Sequence, residues 1–248
     1  ILALWQSFGV WINLERFYGD DGMIPWSVVQ NNRDMWMSAF SLAPQSEAML
    51  YGHGALMAVA SACVLVGLYP RVCVLVLAYV HLSLQYRNPF ILNSGDRLFM
   101  IVAALAALAP LANRLSVHSL ARRLSGLGPA PSASVWGVRF LQIQIAYVYM
   151  NSVLAKLGHA RWQTGMALRD VLASPVFAEW PTYVDFLPVI YALTYGTLIF
   201  ELAFPLLIWF KRARPWLILS GVAFHVGIDV LMMIPIFSYI MIVSYLAF

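Results

Sequence analysis

The stretch Val135-Trp-Gly-Val-Arg-Phe-Leu-Gln142-Ile-Gln-Ile-Ala-Tyr-Val-Tyr149-Met-Asn-Ser-Val-Leu-Ala-Lys156-Leu-Gly-His-Ala-Arg-Trp162 decides how this chain is read. From Val135 to Leu157 it has the length of a membrane helix, for which about 20 residues suffice. It is not uniformly apolar. Gln142, Tyr149 and Lys156 recur every seven residues and so share one stripe of a helix. Gln144, Tyr147 and Asn151 are expected to form a second polar stripe beside the first. A lysine at the rim of a span has a plain use, snorkelling to lipid headgroups. An amine at the end of a polar stripe points instead to a helix that faces a polar interior.

The rest of the chain agrees with a membrane setting. Of its 248 residues, 62% are hydrophobic and only 10% are charged, and the mean hydropathy is +0.76. Soluble domains carry roughly a quarter charged residues. The apolar runs have helical length and lack the alternation of a barrel strand. The expected fold is an all-α, polytopic integral membrane helical bundle, a single membrane domain over residues 1–248. About eight transmembrane segments are expected: Ile1–Leu14, Met49–Tyr69, Val72–Tyr86, Leu98–Leu111, Val135–Leu157, Leu187–Phe210, Trp216–Ile234 and Ile236–Phe248. Pro235 would kink the last two if they were one helix. The chain starts at Ile1 without Met and stops at Phe248 inside an apolar run, so further residues are expected at both ends. No stretch reads as a cleavable signal sequence.

Charge orients the segments. The net charge of +4 gathers in short loops, at Arg71, at Arg114, Arg122 and Arg123, and at Lys211, Arg212 and Arg214. With alternating helices these loops share one side, which the positive-inside rule makes cytoplasmic. That clustering argues against nucleic-acid binding. The opposite loops hold Asp20, Asp21, Asp34, Glu47, Asp96, Asp170, Glu179 and Asp185. Two of them, Glu15–Ala48 and Gly158–Phe186, are long and rich in Trp, Pro and Tyr, and are expected to lie on the outer membrane surface. Leu115–Leu124 reads as a short amphipathic helix on the cytoplasmic face, followed by a linker from Gly126 to Ser134. Cys63 and Cys73 have no neighbours at metal-ligand spacing, so no metal site is expected.

Ionisable residues inside spans are costly and are candidates for function. His81 and Gln85 are one turn apart, with Arg87, Asn88, Asn93 and Asp96 close behind; the plain alternative is a loop with a capped helix. For Gln142 and Tyr149 the plain alternative is hydrogen bonding between helices. Glu201, near the middle of the sixth segment, requires a partner. His225 and Asp229 are four apart on one helical face, where the carboxylate could orient the imidazole. On this topology His81, Asp96, Lys156, His225 and Asp229 share the outer half of the bilayer, which suggests one cavity opening away from the cytoplasm.

The pattern Tyr149-x6-Lys156-Leu-Gly-x3-Trp162-x2-Gly165, preceded by Gln142, resembles the central motif of the HTTM family. These are bacterial relatives of the membrane half of vitamin K-dependent γ-glutamyl carboxylase. The resemblance extends to Asp21-Gly-x-x-Pro25, Arg87-Asn88, Asn93-x-Gly-Asp96, Glu201-Leu-x-x-Pro205, Phe224-His225 and Phe237-Ser-Tyr-Ile-Met241. It implies that Lys156 is a base that deprotonates reduced vitamin K or another quinol, since an amine removed from water can serve as a base near neutral pH. It places His225 beside Lys156 as a second catalytic residue. His81, Asn93, Asp96, Gln142, Tyr149, Trp162, Glu201 and Asp229 are then expected to line the cavity, with a quinone and a peptide or protein substrate as partners in a bacterial plasma membrane. The carboxylase also carries a large non-membrane region that binds its protein substrate, and these residues include no counterpart. The competing class is a non-enzymatic membrane protein: a transporter, an immunity protein or a scaffold.

Overall fold

Long apolar segments punctuated by Gly and Pro have one economical way to satisfy their backbone without water, and that is to close each segment into a helix. The computed structural model of the chain describes all residues except 32–35, 43–45, 110–115, 127–134, 179–183 and 235. Every regular element among them is helical, apart from an isolated bridge between Ala178 and Met232. Asp34, Arg114, Glu179, the linker after Gly126 and the kink at Pro235 lie outside the described residues. The chain divides into two compact units, Ile1–Val138 and Arg139–Phe248.

The first unit contains α1 (Leu2–Ile12), α2 (Leu14–Tyr18), α3 (Trp26–Val29), α4 (Glu47–Val66), α5 (Pro70–Arg87), α6 (Ser94–Ala106) and α7 (Val117–Leu124). Helix α4 packs on α1 and α5, and α5 packs on α6. The core of this unit centres on Leu14, Phe40, Leu50, Met57, Leu77 and Leu84. A left-handed Gly67 ends α4, and Pro70 opens α5 three residues later, so Arg71 lies in the first turn of α5, beside a tight connection. The amphipathic segment is helical as α7, with Ser116 and Ser119 forming its capping box.

The second unit holds most of α8 (Trp136–Leu157), then α9 (Ala160–Gln163), α10 (Ala167–Ala173), α11 (Leu187–Leu207), α12 (Arg214–Leu231) and α13 (Phe237–Ser244), closed by a 3-10 turn at Tyr245–Ala247. Helix α11 packs on α10 and α12, and α12 packs on α13. Pro205 inside α11 cannot donate to the carbonyl of Glu201 four residues earlier, which loosens the helix where the carboxylate sits.

Each of the eight apolar segments thus contains a helix among its described residues, but fewer than eight have the length and apolarity of a span. Among the described residues three helices are long and apolar enough to cross a membrane: α4, α11 and α12. Leu2–Ile12 and Phe237–Ala247 are apolar but shorter. Helices α5 and α8 have the length, yet carry His81, Gln85 and Arg87, or Arg139, Gln142, Gln144 and Lys156, which lower their hydropathy.

Candidate functional site

A polar stripe on α8 organises the second unit. Gln142 and Tyr149 are buried and Lys156 is half-buried. The other expected stripe behaves differently: Tyr147 and Asn151 are exposed. At 100° per residue Gln144, Tyr147 and Asn151 stand about half a turn from the first stripe, on the opposite face rather than beside it.

Lys156 forms an ion pair with Glu201 of α11, whose side chain is only 5% exposed. Ser152, one turn before the lysine, joins the pair. It accepts from Lys156 Nζ at 3.0 Å and donates to Glu201 Oε1 at 3.1 Å. Trp162, within α9, places its ring 4.9 Å from Nζ, a cation–π contact. The required partner of Glu201 is therefore the lysine itself. Glu201 Oε1 takes both contacts, while Oε2 is buried and has no hydrogen-bond partner among the described residues.

The segment that delivers Trp162 folds back through Gly165, whose φ of +76° belongs to the left-handed region. A Cβ there would lie 2.5 Å from Tyr191 Cδ1, so the turn needs glycine on both counts. Across this turn Arg161 of α9 pairs with Asp170 of α10, with the carboxylate oxygens at 2.5 and 2.6 Å. This contact, chiefly its hydrogen bonds, holds the Asp170 carboxyl below the usual aspartate range.

Two turns down the stripe, Tyr149 Oη bridges His225 Nε2 at 2.7 Å and the hydroxyl of Tyr245. All three residues are buried, and Phe204 lies against the Tyr149 ring at 4.4 Å. Gln142 donates to the carbonyl of Ala247 and accepts from Arg139, so its role is the interhelical bonding that served as its plain reading. Tyr245 gave no signal in the sequence. Its position in a run of apolar residues near Phe248 hid a hydroxyl that two other helices converge on.

Asp229 requires a correction. It is exposed, and it accepts from Tyr239 Oη at 2.8 Å; it does not orient His225, whose free ring nitrogen, Nδ1, has no partner among the described residues. The spacing of four put both residues on one broad face, but α13 brings Tyr239 to the carboxylate and α8 brings Tyr149 to the imidazole.

In the first unit, Asp96 Oδ1 accepts from Gln6 at 2.9 Å and lies 3.4 Å from His81 Nε2. Its other oxygen accepts from the backbone of Asn93, and Asn93 caps α6 in return. Asn93 is thus engaged as a helix cap. The five groups expected to converge are distributed over separate partners: His81 with Asp96 in one unit, and Lys156 with Glu201, His225 with Tyr149, and Asp229 with Tyr239 in the other. Among the described residues no three His, Cys, Asp or Glu side chains gather as a metal site.

The model of the HTTM domain matches residues 24–248. The chain belongs to the HTTM family. This is a family of membrane domains related to vitamin K-dependent carboxylase. Neither the curated proteins nor the solved structures give a match to the chain. The matched region includes Lys156, Glu201, Trp162, Tyr149 and His225, so the whole buried network of the second unit belongs to the HTTM domain.

Proposed function

We propose that this HTTM protein is a membrane-embedded, vitamin K-dependent carboxylase-like enzyme, and that the Lys156–Glu201 pair is its proton acceptor. The reading rests on one observation. A lysine amine is held against a buried carboxylate, a hydroxyl and an indole face, while one carboxylate oxygen is left without a partner. A snorkelling lysine has no need of any of these.

The chemistry follows from counting protons. Between them Lys156 and Glu201 hold one proton, as an ion pair or as neutral amine with neutral acid. A hydroquinone hydroxyl that gives up its proton to this pair leaves an ammonium beside a carboxylic acid, whichever form it met. Oε2 of Glu201 is the atom free to receive that hydroxyl. Trp162 and Ser152 hold the amine in place. Oxidation of the quinol by dioxygen, which becomes the epoxide oxygen and water, would drive carboxylation of a peptide or protein substrate by carbon dioxide.

In this reading α1, α5, α6, α8 and α13 also cross or enter the bilayer, which is a bacterial plasma membrane. The basic turns at Arg71, at Arg122 and Arg123, and at Lys211–Arg214 are then cytoplasmic. The Lys156 end of α8 faces outward.

The test is purified protein given reduced vitamin K, with epoxide formation measured. Wild type is expected to turn over, and Lys156→Ala to lose turnover while remaining folded. Lys156→Arg should fail as well. A guanidinium does not give up its proton, and its fork would bind both carboxylate oxygens, closing Oε2 to a ligand. Wild-type turnover in Lys156→Arg would sink the assignment. A wild-type protein that binds no quinone would favour a non-enzymatic membrane role.

A further inference from the structure

Helix α8 carries its other polar stripe on a face that nothing in the second unit covers. Gln144 is half-buried, Tyr147 is 60% exposed and Asn151 is exposed. None of the three has a hydrogen-bond partner among the described residues. Their depth makes this costly. The helix has 22 residues, so its length of about 33 Å matches the hydrocarbon core of a bilayer. All three residues lie within about 7 Å of its midpoint. A long lysine near a helix end can reach the headgroups, but a short amide near the middle cannot. An amide facing acyl chains forfeits the hydrogen bonds it makes in water.

The spacing says what would meet them. Gln144, Tyr147, Asn151 and Leu154 follow one another at three, four and three residues, and Gly158 comes four further on. This alternation is a heptad seam, along which two helices pack with a slight left-handed supercoil. Gln144, Asn151 and Gly158 fall on one row, and Tyr147 and Leu154 on the other. Leu154 is 60% exposed, and a Cβ at Gly158 would meet only the carbonyl of Ala155, so the seam is open to close approach at its end. The stripe of Gln142, Tyr149 and Lys156 has the same period, but its partners come from within the chain.

We propose that the Gln144–Tyr147–Asn151–Leu154 seam is a homodimer interface within the bilayer, covered by α8 of a second copy of the chain. Copies inserted with the same topology run parallel, and a two-fold axis along the membrane normal sets each seam residue opposite itself. An amide carries both donor and acceptor, so Gln144 meets Gln144 and Asn151 meets Asn151 with both partners satisfied. This self-complementarity is what selects a second copy over an unrelated helix. A polar residue on such a seam also fixes its register. The interface rests on α8 crossing the bilayer, and not on the chemistry at Lys156.

The experiment uses the full chain, tagged with donor or acceptor fluorophores and reconstituted together in liposomes. Energy transfer is followed as added lipid dilutes the protein. Wild type is expected to follow a monomer–dimer equilibrium. The double variant Gln144→Leu, Asn151→Leu is expected to associate about tenfold more weakly. Leucines facing lipid would leave association unaltered, so an unchanged equilibrium in the double variant overturns the proposal. Cross-linking gives a second measurement. Under mild oxidation Leu154→Cys should form a disulfide-linked dimer above the wild-type background set by Cys63 and Cys73, whereas Leu219→Cys on the exposed face of α12 should not. A wild type that stays monomeric at every dilution, or cross-linking at Leu219 in place of Leu154, overturns the interface. Epoxide formation is read separately, so a monomer that turns over sinks the interface and leaves the proposed function standing.

Discussion

Both units bury polar side chains, but they direct them differently. In the first unit the buried groups end mainly on backbone. Arg87, fully buried on α5, donates to the carbonyls of Ile24 at 2.9 Å and Gly19 at 2.8 Å. Asn88 donates to the carbonyl of Phe17 at 2.7 Å, and Ser38 to that of Ser83 at 3.1 Å. These contacts pin the segment after α2, and the turn around Ser38, onto α5. In the second unit the buried groups meet side chain to side chain, across α8, α11, α12 and the turn after α13. Two of those side chains keep an orphan atom, Glu201 Oε2 and His225 Nδ1. A side chain that satisfies a carbonyl holds a loop in place. The first unit has orphan atoms too, on His81, Gln85 and Arg87, but those of Glu201 and His225 lie in a side-chain network that includes the Lys156–Glu201 ion pair, and this is why the candidate site is assigned to the second unit. The His81–Asp96 pair is the nearest rival in the first unit, but both Asp96 oxygens already accept hydrogen bonds.

The contrast can be broken most directly at Lys156 and Glu201. Removing one partner strands the other as a buried charge, at a cost of about 3–5 kcal/mol. Glu201→Leu is therefore expected to lower the unfolding midpoint sharply in denaturant titrations. Glu201→Gln should be milder if a hydrogen bond suffices, and the opposite order would show that the charge itself is needed. Arg87→Ala comes next. It empties a fully buried site and leaves two carbonyls without their donor, so a loss of about 2–4 kcal/mol is expected. Limited proteolysis of Arg87→Ala should cut first between Gly19 and Ile24. Unchanged stability in this variant would undo the structural reading of the first unit.

Gly221→Ala is expected to cost about 1–3 kcal/mol, because the new methyl meets a buried hydroxyl on a well-packed ring. The companion change Tyr245→Phe removes that hydroxyl and should relieve part of the strain, which a double-mutant cycle would measure. Additive losses would mean that the two do not touch. The smallest effect is expected at the exposed Arg161–Asp170 pair. Its folded aspartate is held below the ordinary value, so its contribution is complete above about pH 3.9 and is lost as pH falls through the lowered folded value. Asp170→Asn should flatten the acid limb of the stability profile slightly, and should not alter it above pH 5.

Periodicity carried much of this from the chain alone. Seven-residue spacing identified the buried face of α8, and Arg71 between two apolar runs marked the short connection between α4 and α5. The cost of a mid-membrane carboxylate required a partner for Glu201 before any partner was known. The mixture of Leu and Arg after Ser116 located α7. The misplaced stripe at Gln144, Tyr147 and Asn151 was also answerable from the sequence, since the rotation per residue puts it on the far side of the helix.

Partners were another matter. Glu201 meets Lys156 from 45 residues away, and Tyr245 meets Tyr149 from 96. Asp229 turns to Tyr239, leaving His225 to Tyr149. Sequence determined that this is a helical membrane protein of the HTTM family and which face of α8 is buried. Tertiary structure decided which polar groups touch. A helical period fixes a residue's direction about its own axis, but the rotation and offset of the neighbouring helix come from packing along its whole length, and no single spacing encodes them.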